Sequence, residues 1–144
     1  MKKKHFLIPI IICTLFSTTV FSQVSVTSYS IYALGVNTSH AEKASFELKA
    51  FANRDFADVV LEADVYYNFR QADFHQFSVG VGLNAVPFSG GDVLNAITIP
   101  AQLEIWPLQD FRRLSLVFEL APEFVLENDT RLRTLWGFRY HFGE

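Results

Sequence analysis

Glu47, Lys49, Glu62, Asp64, Glu104, Glu119, Arg133 and Arg139 all fall inside runs where polar and apolar residues alternate. Two acidic pairs, Glu62 with Asp64 and Glu119 with Glu123, have the composition that general acid and base catalysis uses. That chemistry needs the groups to converge on a substrate cavity. Lys49, Arg133 and Arg139 share the acids' parity, so a structural ion network explains the same residues better than a catalytic pair. His40 and His75 sit in expected turns, and His141 stands beside Arg139 on the polar face of the last run. One histidine does not make a metal site. There is no glycine-rich phosphate loop: Gly80 and Gly82 alternate within a strand, and Gly90 with Gly91 forms a turn. The residues therefore point to no enzyme, no metal and no cofactor.

The elements that must position these side chains are strands, because a period of two marks a strand with one apolar face. The pattern recurs in seven segments. Val24, Val26, Tyr32, Leu34 and Val36 form the apolar side of the first, interrupted by Ser28 and Ile31; Phe46, Leu48 and Ala50 form that of the second. Leu61, Ala63, Val65, Tyr67 and Phe69 follow, then Phe77, Val79, Val81 and Leu83. The fifth has Ile97, Ile99, Ala101, Leu103 and Ile105, and the sixth Leu114, Leu116, Phe118 and Leu120. The last carries Leu132, Thr134, Trp136, Phe138, Tyr140 and Phe142. Short polar connections at 37–43, 53–58, 70–75, 87–92, 108–112 and 127–130 separate them. Pro100 and Pro122 fall inside strand-like runs, and each is expected to mark a bulge or break, since proline cannot donate a ladder hydrogen bond.

Consecutive antiparallel strands on short loops make an up-and-down meander, which most naturally closes on itself into a small β-barrel. Seven strands are clearly visible and about eight are expected. The eighth comes either from splitting the first segment or from residues 86–95. A barrel completed by another copy of the chain, or by another chain, is a further possibility.

The N-terminus bounds the rest. Lys2, Lys3 and Lys4 precede an apolar run and a small-residue stretch, the order of a secretory signal peptide. Cleavage before Gln23 removes residues 1–22 and leaves 23–144 as a single barrel domain. The only cysteine, Cys13, lies in the removed segment. Once those three lysines are gone, acidic residues outnumber basic ones, which argues against a nucleic-acid partner.

Two proteins fit this pattern, and they differ in which face is wet. A soluble periplasmic barrel of lipocalin type would turn Phe46, Leu48, Phe77, Val79, Leu116 and Phe118 inward around an apolar ligand. A membrane barrel would turn them outward into lipid. The polar face of the fourth segment, Ser78, Gly80, Gly82 and Asn84, is small, which suits a narrow interior. The apolar face has no charge at the strand centres, as hydrocarbon requires. Tyr67, Phe69, Phe88, Trp106 and the aromatics from Trp136 onward lie near strand ends, where membrane interfaces favour Trp and Tyr.

With these residues in view, the chain resembles the small, eight-stranded outer-membrane β-barrel proteins of Gram-negative bacteria. The most specific match is Gly137, Tyr140 and Phe142, spaced like the C-terminal signal that the barrel-assembly machinery reads in that family; Gly143 and Glu144 then follow where the family usually ends. The resemblance implies a chain in outer-membrane lipid, with a side-chain-filled polar lumen, a structural role or narrow small-molecule passage, and a possible homo-oligomeric state.

Overall fold

The computed structural model describes residues 23–38, 42–52, 59–69, 72–88, 90, 93–126 and 129–143. The strands are β1 (Val24–Tyr29), β2 (Ala33–Thr38), β3 (Ala44–Phe51), β4 (Val60–Asn68), β5 (His75–Ala85), β6 (Leu94–Thr98), β7 (Ala101–Ile105), β8 (Leu114–Val125) and β9 (Asp129–Phe142). Every neighbouring pair is antiparallel, and the order runs around a closed ring in which β6 and β7 together form one stave. The result is an eight-stranded barrel with one extra strand element. It closes within one chain, so completion by a second copy is not needed.

Closure joins the two ends of the described chain. Val24 pairs with Phe142, Val26 with Tyr140 and Tyr29 with Gly137. Gly137 is required there because a Cβ at this position would run into the Ser28 carbonyl. The eighth stave comes from the first segment, which turns at residues 30–32; Tyr32 takes the positive φ of 33° that the tight reversal demands. Of the stretch offered as the alternative, the described residues 86–88, 90 and 93 belong to no strand.

The two prolines behave differently. Pro100 does break its stave, separating β6 from β7, although its carbonyl still accepts from the Gly80 N–H at 2.8 Å. Pro122 makes no break: it sits inside β8 opposite Leu132, and its carbonyl accepts from Ile99 N–H at 3.0 Å. The register shift falls instead at Asn84 and Ala85 on β5. His75, expected in a turn, is the exposed first residue of β5, while His40 lies outside the described residues. The expected signal peptide, residues 1–22, is outside them too.

Side chains alternate strictly across the wall, and the facing is the reverse of a soluble protein's. Phe46, Leu48, Phe77, Phe118 and Val81 are each between 44% and 59% exposed, whereas Glu47, Lys49, Glu62, Asp64 and Arg139 are 0% exposed. The lipocalin reading required those apolar residues to line a cavity; strand parity puts them on the outer surface instead. A small apolar cluster does exist inside, where Tyr29, Ala33, Val117 and Leu135 pack together against Phe51. It fills one side of the lumen.

Candidate functional site: the charged interior

The barrel registers bring the polar residues together at successive heights. At the end where β1 begins and β9 ends, Ser25 lies opposite His141, and Ser115 on β8 lies opposite Arg139, two residues along β9 from that histidine. Ser25 Oγ lies 2.8 Å from His141 Nδ1, while Glu104 Oε1 lies 2.8 Å and Ser115 Oγ 3.1 Å from Nε2. Ser115 also donates a short hydrogen bond to Glu104. Trp106 tilts across this histidine with ring centres 6.1 Å apart. Its indole is only 6% exposed, so Trp106 closes the bottom of the lumen and is not an interface aromatic.

One level up, Arg139 lies between two acids. Its Nη1 donates to Glu104 Oε2 at 2.9 Å, its Nη2 approaches Glu47 Oε1 at 3.3 Å, and its Nε donates to Thr27 Oγ1 at 2.8 Å. Tyr29 O–H donates to Glu47 at 2.7 Å. Gln102 projects into the centre, within 3.1 Å of Tyr29, Glu47, Tyr66 and Glu119. An amide has only two hydrogens for these four oxygens, so the network is shared rather than uniquely paired.

Lys49 holds the next level. Its Nζ is 2.6 Å from Glu119, 2.9 Å from Asp64, 3.1 Å from Glu62 and 3.0 Å from Tyr66 Oη. An ammonium has three N–H groups, so one of the four oxygens goes without. Geometry picks Asp64 Oδ2, which is close enough for an ion pair yet has no aligned hydrogen. At the far end Arg133 donates to Glu62 at 2.6 and 2.7 Å, to Glu123 at 2.6 Å and to Glu119 at 3.1 Å. Its guanidinium stacks 4.8 Å above the Phe51 ring.

Small residues create the room. A Cβ on Gly82 would strike Asp64 Oδ1 and Thr98 Oγ1, and one on Gly80 would strike the Tyr66 ring. Both glycines lie directly opposite those β4 residues, Asp64 with Gly82 and Tyr66 with Gly80. Thus the small fourth segment and the charged third segment are two halves of one packing solution.

All of the singled-out charged residues face this interior, and the ion pairs link them in two groups, Arg139 with Glu47 and Glu104, then Lys49 and Arg133 with Glu62, Asp64, Glu119 and Glu123. Gln102 bridges the groups. Sequence reasoning missed the neutral members, Tyr29, Tyr66, Gln102, Ser25, Ser115 and Thr27; inward parity was the signal that could have found them. Gly137, Tyr140 and Phe142 lie on the closing strand, Gly137 turned inward, Tyr140 and Phe142 outward with rings 4.9 Å apart. Two recesses lie away from the centre: a furrow of about 550 Å³ on the outer wall, between Phe77, Phe118 and Trp136, and a notch of about 380 Å³ at the rim near Arg131 and Arg133.

No protein-family model matches this chain, and no curated protein matches it. Among solved structures it is similar to the N-terminal β-barrel domain of Pseudomonas aeruginosa OprF, at 13% identity and a TM-score of 0.51. The match covers 83% of this chain and 94% of that domain. At that identity the likeness is one of fold: a small closed β-barrel of comparable size.

Proposed function

We propose that this chain is an integral outer-membrane β-barrel whose lumen is plugged by its ion network, and that it supports the envelope structurally and is not an enzyme. The observation that carries the reading is the inverted facing. Apolar residues cover the outer wall from Val36 on β2 round to Phe138 on β9, and the fully buried charges lie inside. Burying Arg139 and Lys49 while exposing Phe46 and Phe118 is unfavourable in water and favourable in hydrocarbon. The fold likeness to the OprF barrel domain agrees with it.

The plug follows from volume and charge. An eight-stranded barrel leaves an interior that side chains can fill. Here Trp106, Arg139, Gln102, Tyr66, Lys49 and Arg133 occupy successive heights of it. Ser25, Ser115, His141 and Glu104 have the residue types of a nucleophilic site, but they are buried next to Trp106 with their polar atoms already engaged. Residues 1–22 direct export in this reading, and Gly137, Tyr140 and Phe142 present the assembly signal.

Cell fractionation tests the proposal most directly. Recovery only from the detergent-extracted outer membrane, with an SDS-resistant folded band that shifts on boiling, is expected. Recovery from the soluble periplasm without detergent would overturn it. In planar bilayers the folded protein is expected to be electrically silent, and steady ion currents would remove the plug from the proposal.

A further inference from the structure

The staves do not rise to one height. Followed pair by pair round the ring, the registers return to Val24 about ten residues out of step, the stagger that closes eight strands tilted by about 40°. At that tilt each residue climbs about 2.5 Å along the barrel axis, and each step to the next stave, from β1 round to β9, adds about 3 Å. The lower strand ends, from Val24 round to Phe142, then lie within about 6 Å of one another. The upper ends climb. Measured from Val24, the β1–β2 strands stop at about 15 Å, Ala85 on β5 stands at about 22 Å and Asp129 on β9 at about 29 Å. The cause is strand length: β1 and β2 have 6 residues each, β8 has 12 and β9 has 14.

We infer that the barrel thins the membrane on one side, drawing the lipid headgroups down to the Ile31–Tyr32 tip of the β1–β2 hairpin; this rests on the reading of the outer wall as lipid-facing. The apolar band of such a barrel is about 25 Å tall. The β8–β9 side supplies it, with Phe118, Leu120 and Phe124 outward on one strand and Trp136 and Leu132 on the other. The hairpin reverses at about 17 Å, which is inside that band. Lipid-exposed irregular backbone does not occur in hydrocarbon, where nothing satisfies its polar groups. The turn is not shielded by the rest of the barrel, since Ile31 is 53% and Tyr32 86% exposed.

The side chains agree with a lowered surface. Ser28 and Ser30 are exposed on the upper part of β1 and at its turn, at heights where β9 carries Phe138 and Trp136. Tyr32 brings a phenol, which suits the headgroup level. Tilting the whole barrel does not remove the mismatch, because it moves both edges of the short side together. The lipid chains beside β1–β2 must therefore give up about 10 Å of hydrocarbon thickness.

The test places arginine at two exposed sites about 17 Å up on opposite sides of the ring, Tyr32 and Leu83, and measures urea unfolding from vesicles. Arginine is costly at hydrocarbon depth and nearly free at the interface. Leu83→Arg is expected to lower the folding equilibrium at least about tenfold, while Tyr32→Arg stays within about threefold of Tyr32→Leu, which controls for loss of the ring. A second measurement uses Trp136→Phe, in which the remaining Trp106 is buried. Added to it, Tyr32→Trp should be quenched most by lipids brominated near the headgroup, and Leu83→Trp by lipids brominated near the chain ends. Equal losses at the two arginine sites, or chain-end quenching of Tyr32→Trp, overturn the thinning and leave the wall in lipid. No loss at either site overturns the lipid-facing wall and the inference with it.

Discussion

Replacing Lys49 by methionine removes the cation between Glu62, Asp64 and Glu119 while keeping most of its volume. The three acids do not suffer equally. Glu62 and Glu119 retain Arg133, at 2.6 and 3.1 Å. Asp64 has no other cation within ion-pair distance among the described residues and keeps only Thr98, at 3.3 Å. Breaking a buried ion pair from one side costs about 3 to 5 kcal/mol, because it strands the other charge. The expected loss is therefore about 3 kcal/mol or more, roughly two powers of ten in the folding equilibrium. Adding Asp64→Leu to Lys49→Met removes the stranded charge, and apolar replacement of a whole buried pair is often neutral or stabilising. The double variant should recover most of the loss. Urea unfolding in lipid vesicles, followed by the fluorescence of Trp106 and Trp136, measures both. A single variant within about 1 kcal/mol of the parent, or a double variant no better than the single, would refute the claim that Lys49 is there chiefly to neutralise Asp64.

Val81→Arg puts a charge on the outer wall at mid-strand and should cost about 2 to 4 kcal/mol in a bilayer; unchanged assembly and urea stability would contradict lipid exposure of that face. Gly82→Val should destabilise by about 1 to 3 kcal/mol through overpacking against Asp64 and Thr98. Combining it with Asp64→Gly should relieve part of that loss in the same urea assay, and no relief would place the clash elsewhere. Trp136→Phe leaves Trp106 as the only tryptophan, and brominated lipids should then quench little. The converse variant, Trp106→Phe, should be quenched strongly through the half-exposed Trp136.

The strands and the division of each into two faces were legible because the period of two is a local property, visible wherever Phe77, Val79, Val81 and Leu83 repeat; which face points outward was not. Where that local signal competed with turn geometry it was blurred. Val26 and Leu34 belong to different staves, yet both face outward at even positions, so a single interrupted strand and a hairpin look alike from β1 to β2. Pro100 and Pro122 are indistinguishable as residues. They differ because Pro122 has its missing N–H matched to a place in the ladder that tolerates it, and this depends on neighbours distant in sequence. The same limit applies to the interior. Parity identified Glu47 and Arg139 as sharing a face, but their approach across the lumen, bridged by Gln102, depends on barrel closure. Trp106 was ambiguous for another reason: a tryptophan near a strand end suits an interface belt as well as a lumen cap, and only its inward parity separates them.

The charged interior also settles which register the strands adopt. A one-residue slip of β3 against its neighbours would turn Glu47 and Lys49 outward and Phe46 and Leu48 inward, since side chains alternate. In a soluble barrel with a solvated face, that error exposes hydrophobic groups. If the outer wall faces hydrocarbon, as proposed, it instead drives two charges into lipid, at about 2 to 4 kcal/mol for the lysine alone at the midplane, and removes two cross-lumen ion networks together. Buried ion pairs contribute little net stability compared with an apolar core of the same shape. Their value here is in the size of the gap between the correct register and its nearest competitor. The acids Glu47, Glu62, Asp64, Glu104, Glu119 and Glu123 outnumber Lys49, Arg133 and Arg139, so the network is poorly balanced as a stabilising device. A gap between registers needs no such balance, because every misplaced charge raises the competitor whichever sign it carries.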